Sequence, residues 1–128
     1  NCRDRRSLDP LIEALQTEIS AVRLWAASSL GQLVDGDAQT ATTAIPAVAR
    51  ALALDSLPAV RSNCAWALGQ LCQMISVNEV YRQAIEALIE ALSDRDLGVQ
   101  EDAKSALLKL GDPRGLQAIE ELEMEGLL

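Results

Sequence analysis

The sequence predicts an all-α protein made of stacked helical hairpins, and three observations carry that prediction. A thirteen-residue frame occurs three times, as "VRLWAASSLGQLV" at 22–34, "VRSNCAWALGQLC" at 60–72 and "VQEDAKSALLKLG" at 99–111. Its leading Val advances from 22 to 60 to 99, steps of 38 and 39, and a period near forty belongs to helical repeat arrays. Within each copy the apolar and small residues stand at offsets 0, 4, 7, 8 and 11, which at helical pitch keeps them within about 100° of one another. Val60, Cys64, Ala67, Leu68 and Leu71 form one such face, matched by Val22, Ala26, Ser29, Leu30, Leu33 and by Val99, Ala103, Ala106, Leu107, Leu110. Composition agrees: the chain is 49% hydrophobic with no Phe, two Trp and one Tyr. Ala and Leu must therefore fill the interior, which suits closely stacked helices.

Taken in order, residues 2–7 read as a turn into a first helix from about Leu8 to Thr17, where Leu8, Leu11, Ile12 and Leu15 keep helical spacing and Pro10 sits in an early turn. Its counterparts are "IPAVARAL" (Ile45, Val48, Ala49, Leu52) and "IEALIEAL" (Ile85, Leu88, Ile89, Leu92). Each is followed by a short polar link and then the Val-led helix, so each repeat is two antiparallel helices. The links hold helix-stopping residues, Asp55, Ser56 and Pro58 in one and Asp94, Asp96 and Gly98 in the next. Between repeats, 35–43 and roughly 76–82 read as loops or short extra turns. The final stretch opens with Asp112 as N-cap and Pro113 at the first helical position, then Leu116, Ile119 and Leu122, a fourth first-helix without its partner. One domain over 1–128 is expected, with repeats about 4–34, 41–75 and 81–111 and a capping helix at 112–128.

The segments "VRLWAASSLGQL", "VRSNCAWALGQL" and "LGDPRGLQAIEEL" resemble the HEAT repeat family, in the short form of the phycobilin lyase type found in many bacterial, often cyanobacterial, proteins. The resemblance spans nearly the whole chain and is specific for fold rather than function. It implies a right-handed α-solenoid whose second helices line the concave side. It also implies a ladder in which the Arg after the Val pairs with an Asp of the preceding link. Arg23 and Arg61 match that Arg, and Asp55 and Asp94 match that Asp. Gln100 replaces the third Arg and Thr17 the first Asp, so the ladder is expected to be incomplete.

Residue types exclude much chemistry. With no His in the chain, catalytic triads, imidazole bases and the His-Glu iron sites of the HEAT-type hydroxylases are ruled out. No Gly-rich phosphate loop is present. Cys2, Cys64 and Cys72 lack zinc or redox spacing; Cys64 and Cys72 are eight residues apart, about 12 Å along one helix, and read as core. Net charge is −8, which argues against a phosphate backbone as ligand and against the HEAT-type DNA glycosylases. The run Glu120, Glu121, Glu123, Glu125 reads as a solvated face. No catalytic residue, cofactor or metal is expected, and neither nucleic acid nor membrane is an expected partner. No apolar run approaches a membrane span and no signal segment opens the chain, so the expected location is cytoplasmic.

Charge is nearly absent from Ala38 to Asn78, where only Arg50, Asp55 and Arg61 are charged. On the helical wheel Trp66 lies about 160° from the centre of the core stripe and Trp25 about 100°, so Trp66 points away from its own core and Trp25 leans on a neighbouring repeat. Leu24 and Leu108 take outward positions. With Asn63, Gln70 and Gln32 these residues make an apolar strip with amide rims, the composition of a groove that binds another protein. The alternative is part of a phycobilin lyase or a phycobilisome-associated, chromophore-handling protein, which the resemblance implies. The first helix carries few charges beyond Asp9 and Glu13, with Arg3, Arg5 and Arg6 before it. That end is expected to be open, either self-associating through the N-terminal repeat or continuing a longer solenoid, and the chain reads as a fragment.

Overall fold

The structure is a computed structural model that describes residues 5–33 and 37–128, with side chains from Leu8 onward. Cys2, Arg3 and the side chains of Arg5 and Arg6 lie outside the described residues. Among the described residues seven helices follow in order: α1 (Arg5–Ala14), α2 (Ser20–Gly31), α3 (Ala38–Leu54), α4 (Pro58–Cys72), α5 (Glu79–Ala91), α6 (Leu97–Leu110) and α7 (Pro113–Met124). They pair as hairpins α1–α2, α3–α4 and α5–α6, stacked so that first helices pack on first helices and second on second. The molecule is an α-solenoid, and α7 packs on α5 and α6 as a further first helix. Among the described residues no helix is long and apolar enough to cross a membrane.

The frame positions form the core as their periodicity requires. Val60, Cys64, Ala67, Leu68 and Leu71 are all fully buried, and Val99, Ala103 and Leu107 repeat the pattern one hairpin on. Cys64 and Cys72 are free thiols in this core.

Three helix boundaries differ from the sequence reading. The first helix runs Arg5–Ala14 rather than from about Leu8 to Thr17. Thr17 is instead in the link, its hydroxyl donating to Ala14 O at 3.2 Å. The stretch 38–43 is helix, because Asp37 caps it by accepting from Thr40 N at 2.8 Å. Thr42 and Thr43 then return their hydroxyls to Ala38 O and Gln39 O at 2.7 and 2.9 Å. Pro46 therefore lies inside α3 and does not start it. Residues 79–82 are likewise helical, with Asn78 as the cap that accepts from Tyr81 N at 2.9 Å.

The ladder is present, with a different direction. Arg23 pairs with the link that follows it, Nε donating to Asp55 Oδ2 at 2.8 Å and Nη2 to Asp55 Oδ1 at 3.3 Å. Its Nη1 reaches back to Thr17 O at 3.0 Å. Arg61 repeats this on Asp94 at 2.9 and 3.0 Å and on Asp55 O at 2.9 Å. Gln100 keeps the backward half, its Nε2 donating to Asp94 O at 2.6 Å. Each rung thus ties one hairpin to the next, and both rungs that three hairpins can form are formed. Asp94 sits below the ordinary carboxylate value: its burial, which alone would raise it, is outweighed by the Arg61 guanidinium and the Asp96 N–H.

Asp112 caps α7, accepting from Arg114 N at 2.9 Å, and takes the Tyr81 hydroxyl at 3.0 Å. This buried pair locks α7 to α5. Ile119 is buried beneath it, whereas Leu116, expected to face the preceding repeat, remains 39% exposed.

Candidate functional site

The second helices α2, α4 and α6 pack more closely on one another than the first helices do, so their outward residues form one continuous face. Close approach is made possible by Gly31 and Gly69, the tenth residue of the frame in two copies. A Cβ at Gly31 would meet the Trp66 ring, with Cε3 at 2.8 Å and Ala67 Cα at 3.0 Å; one at Gly69 would meet Ala106 Cβ at 2.9 Å. The third copy has Leu108 there, 53% exposed on α6.

Trp66 does point away from its own core, but its ring rests on Gly31 of the neighbouring hairpin and 38% of the residue stays open. Beyond it, between α4 and α6, lies a depression of about 380 Å³ lined by Trp66, Gly69, Gln70, Asp102, Ser105, Ala106 and Lys109. Two of its edges are tied down, since Lys109 donates to Gln70 and Ser62 to Asp102. Between α2 and α4 the polar contacts are neutral: Asn63 Nδ2 donates to Ser28 Oγ at 2.7 Å and to Leu24 O at 3.5 Å.

Of the residues singled out from sequence, Trp66 and Gln70 meet in the depression. Asn63 and Leu24 meet across the α2–α4 seam, where Leu24 is half-buried against the core. Gln32 is exposed at the C-cap of α2, and Trp25, midway along α2, is 60% exposed. The sequence reading missed Asp102, Ser105 and Lys109, because its strip admits only apolar and amide side chains and these are charged or hydroxylic.

Burial pushes the Cys64 thiol up to about 12, with Asp55 adding to it, and pushes Cys72 up to about 12, with Asp112 adding. Neither thiol is a nucleophile near neutral pH. Burial and then the hydrogen bond to Asp112 raise Tyr81 to about 12. Among the described residues no group of His, Cys, Asp and Glu is arranged to hold a metal ion.

Residues 44–75 match the family model described as HEAT repeat, and residues 60–94 match the one described as PBS lyase HEAT-like repeat. Among solved structures, the crystal structures of two engineered proteins from a structural genomics consortium are similar. One has a TM-score of 0.66 at 20% identity, covering 90% of this chain and 50% of the other. The second has 0.65 at 24% identity, covering 89% and 51%. The chain thus spans about half the length of these structures, and at such identity the likeness concerns the fold. No curated protein matches. The two matches together cover residues 44–94, and over that span the repeating frame and the stacked hairpins are those of HEAT-type repeats, including the PBS lyase HEAT-like kind.

Proposed function

We propose that this chain is a non-enzymatic scaffold that binds another protein through the face of its second helices, anchored at Trp66. The observation that supports this is the half-open indole beside a concave depression of about 380 Å³ whose rim offers an amide, a hydroxyl and both signs of charge. Partly exposed Trp at the centre of a concave surface is a common hot spot, and repeat solenoids present extended surfaces of this kind. Trp66→Ala is expected to weaken partner binding by about 2 kcal/mol. Because the ring also covers Gly31, the same change is expected to cost about 1 kcal/mol of stability. A pull-down that recovers the same partners at the same strength with this variant would remove the assignment.

A second reading, handling of a bilin chromophore, draws on the match of residues 60–94 to the PBS lyase HEAT-like model. Mixing the protein with phycocyanobilin and recording the visible spectrum separates the two. A shift in absorption favours the chromophore reading, and an unchanged spectrum leaves the scaffold.

A further inference from the structure

Exposed large apolar side chains are not spread evenly over this solenoid. Ile19, Leu54, Leu57, Leu97, Met124 and Leu127 all sit on the turns that follow the first helices or at the helix ends that border them, while Trp25, Trp66, Val77, Leu108 and Leu116 are scattered elsewhere. Four successive turns on one edge therefore each present an aliphatic group: Ile19 is 63% exposed, Leu54 69%, Leu97 74% and Met124 81%. Core packing does not explain residues so open. Local stability argues against two of them, since Ile19 and Leu57 occupy N-caps with no side-chain capping bond, a position that favours Ser, Thr, Asp or Asn. By contrast α3, α5, α6 and α7 are all capped by Asp or Asn.

The edge is shaped as well as apolar. Where α1 and α3 end, a depression of about 300 Å³ has apolar walls from Leu15, Ala47, Ala51 and Leu54 and a polar side of Gln16, Arg50 and Asp55. At the equivalent place between α3 and α5 lies one of about 180 Å³, walled by Leu52, Ala53, Ala87 and Ala91 with Glu90 and Asp94. On or beside these turns Glu18, Glu90, Asp96 and Glu125 carry no ion pair among the described residues, while Asp55 and Asp94 are neutralised by Arg23 and Arg61. Arg50 and Arg95 are the unpaired cations there, so the fringe is acidic on balance, in a chain of net charge −8.

The backbone of these turns has little left to offer a partner. Leu57 N donates to Asp55 Oδ1 and Asp96 N to Asp94 Oδ1, each at 2.9 Å. Thr17 O, Asp55 O and Asp94 O already accept from Arg23, Arg61 and Gln100. An extended peptide would leave its own backbone groups unpaired here, whereas a helix satisfies them internally. Stacked helices are about 8–10 Å apart, and residues seven apart on a helix are separated by about 10.5 Å, so such residues meet successive turns in register.

We propose that this edge docks a basic amphipathic helix of a partner protein, with aliphatic residues every seventh position and Lys or Arg beside them. This surface is separate from the Trp66 face. The test uses a labelled helical peptide of about 21 residues with Leu at every seventh position and Lys flanking each, titrated against the full chain by fluorescence anisotropy. Saturable binding is expected, weakened at least about tenfold by Leu54→Gln with Leu97→Gln, weakened by added salt, and unchanged by Trp66→Ala. Both substituted residues are exposed, and circular dichroism checks that the variant keeps its helices. Equal binding by the double variant, by a scrambled Lys/Leu peptide or by a peptide with Glu in place of Lys would overturn the proposal. So would a dimer, seen by sedimentation, that the double variant dissolves, because the edge would then belong to a second copy. Loss of binding with Trp66→Ala would move the peptide to the second-helix face and overturn it equally.

Discussion

The two seams between second helices are built on the same frame and filled differently. At the α2–α4 seam the Trp66 ring covers Gly31, and the polar contact is the neutral Asn63–Ser28 pair. At the α4–α6 seam only Ala106 reaches Gly69, and the contacts are Ser62 to Asp102 and Lys109 to Gln70. The seventh frame residue is Trp66 in one helix and Ser105 in the next, and the depression lies beside Ser105. The glycine fixes how close the backbones come, and the residue that meets or misses it decides whether the seam is closed or open. Variation between repeats therefore reshapes the face of the second helices without altering the stack.

The largest effect that separates the seams should come from the rungs. Arg61 is 4% exposed and bidentate on Asp94, whereas the Arg23 side chain is 15% exposed. Removing one partner of a buried pair leaves the other charge uncompensated, so Arg61→Ala should cost about 3 kcal/mol and Arg23→Ala about 2 kcal/mol. Urea unfolding of both variants measures this. Costs under about 1 kcal/mol, the range of a surface pair, would mean that packing alone holds the hairpins together.

Next come the glycines. At Gly69 a methyl group meets Ala106 Cβ at 2.9 Å and its Cα at 3.3 Å, neither of which can swing aside, so Gly69→Ala should cost about 2 kcal/mol by overpacking. At Gly31 much of the obstruction is an indole with open solvent on its other side. Gly31→Ala should then cost about 1 kcal/mol, with Trp66 driven outward and the tryptophan emission shifted to the red. An unshifted spectrum would show that the ring is not held against Gly31 in solution.

Much of this was legible in the sequence because packing is periodic. The frame gave the repeat, the buried stripe and the hairpin pairing, and Asp112 with Pro113 gave the start of α7. The direction of the ladder was not legible, since pairing Arg23 with the next link or the preceding one leaves the sequence pattern unchanged. Nor was the N-terminal extension of α3, which rests on one cap at Asp37 and on hydroxyl bonds within the helix. Trp66 was read correctly as turned from its own core, but the wheel cannot show that a neighbouring glycine receives the ring. The aliphatics of "TEIS", "DSLP" and "RDLG" were visible all along as Ile19, Leu57 and Leu97. They were passed over because a link is read for its helix breakers.

Acid should loosen the molecule unevenly. Asp94 and Asp112 both lie below their ordinary value of 3.8, burial being outweighed in each by hydrogen bonds, from Arg61 and the Asp96 N–H in one and from Arg114 and Tyr81 in the other. A depressed folded value contributes stability above the unfolded value and loses it as pH falls through the folded one. The loss should thus begin below about pH 4 and act on the junction of the second and third hairpins and on α7. Urea midpoints from pH 7 down to 3 measure it, and Asp94→Asn should flatten part of the fall. A profile level down to pH 3 would contradict the assignment.

The smallest change in stability should be the most informative about the face. Ser105→Trp gives the third copy the residue that Trp66 gives the second, at the same frame position and beside the depression of about 380 Å³. Ser105 is already exposed, so an indole there need displace no buried group and can lie over the open floor as Trp66 lies over Gly31. Apolar area covered by the ring favours folding by about 25 cal/mol per Å², against the fixing of its rotamer. The net shift should stay within about 1 kcal/mol. If the depression anchors a partner, filling it should weaken binding about as much as Trp66→Ala does, although one variant adds an indole and the other removes one. Full binding by Ser105→Trp with loss in Trp66→Ala would place the partner on the indole itself and away from the α4–α6 seam.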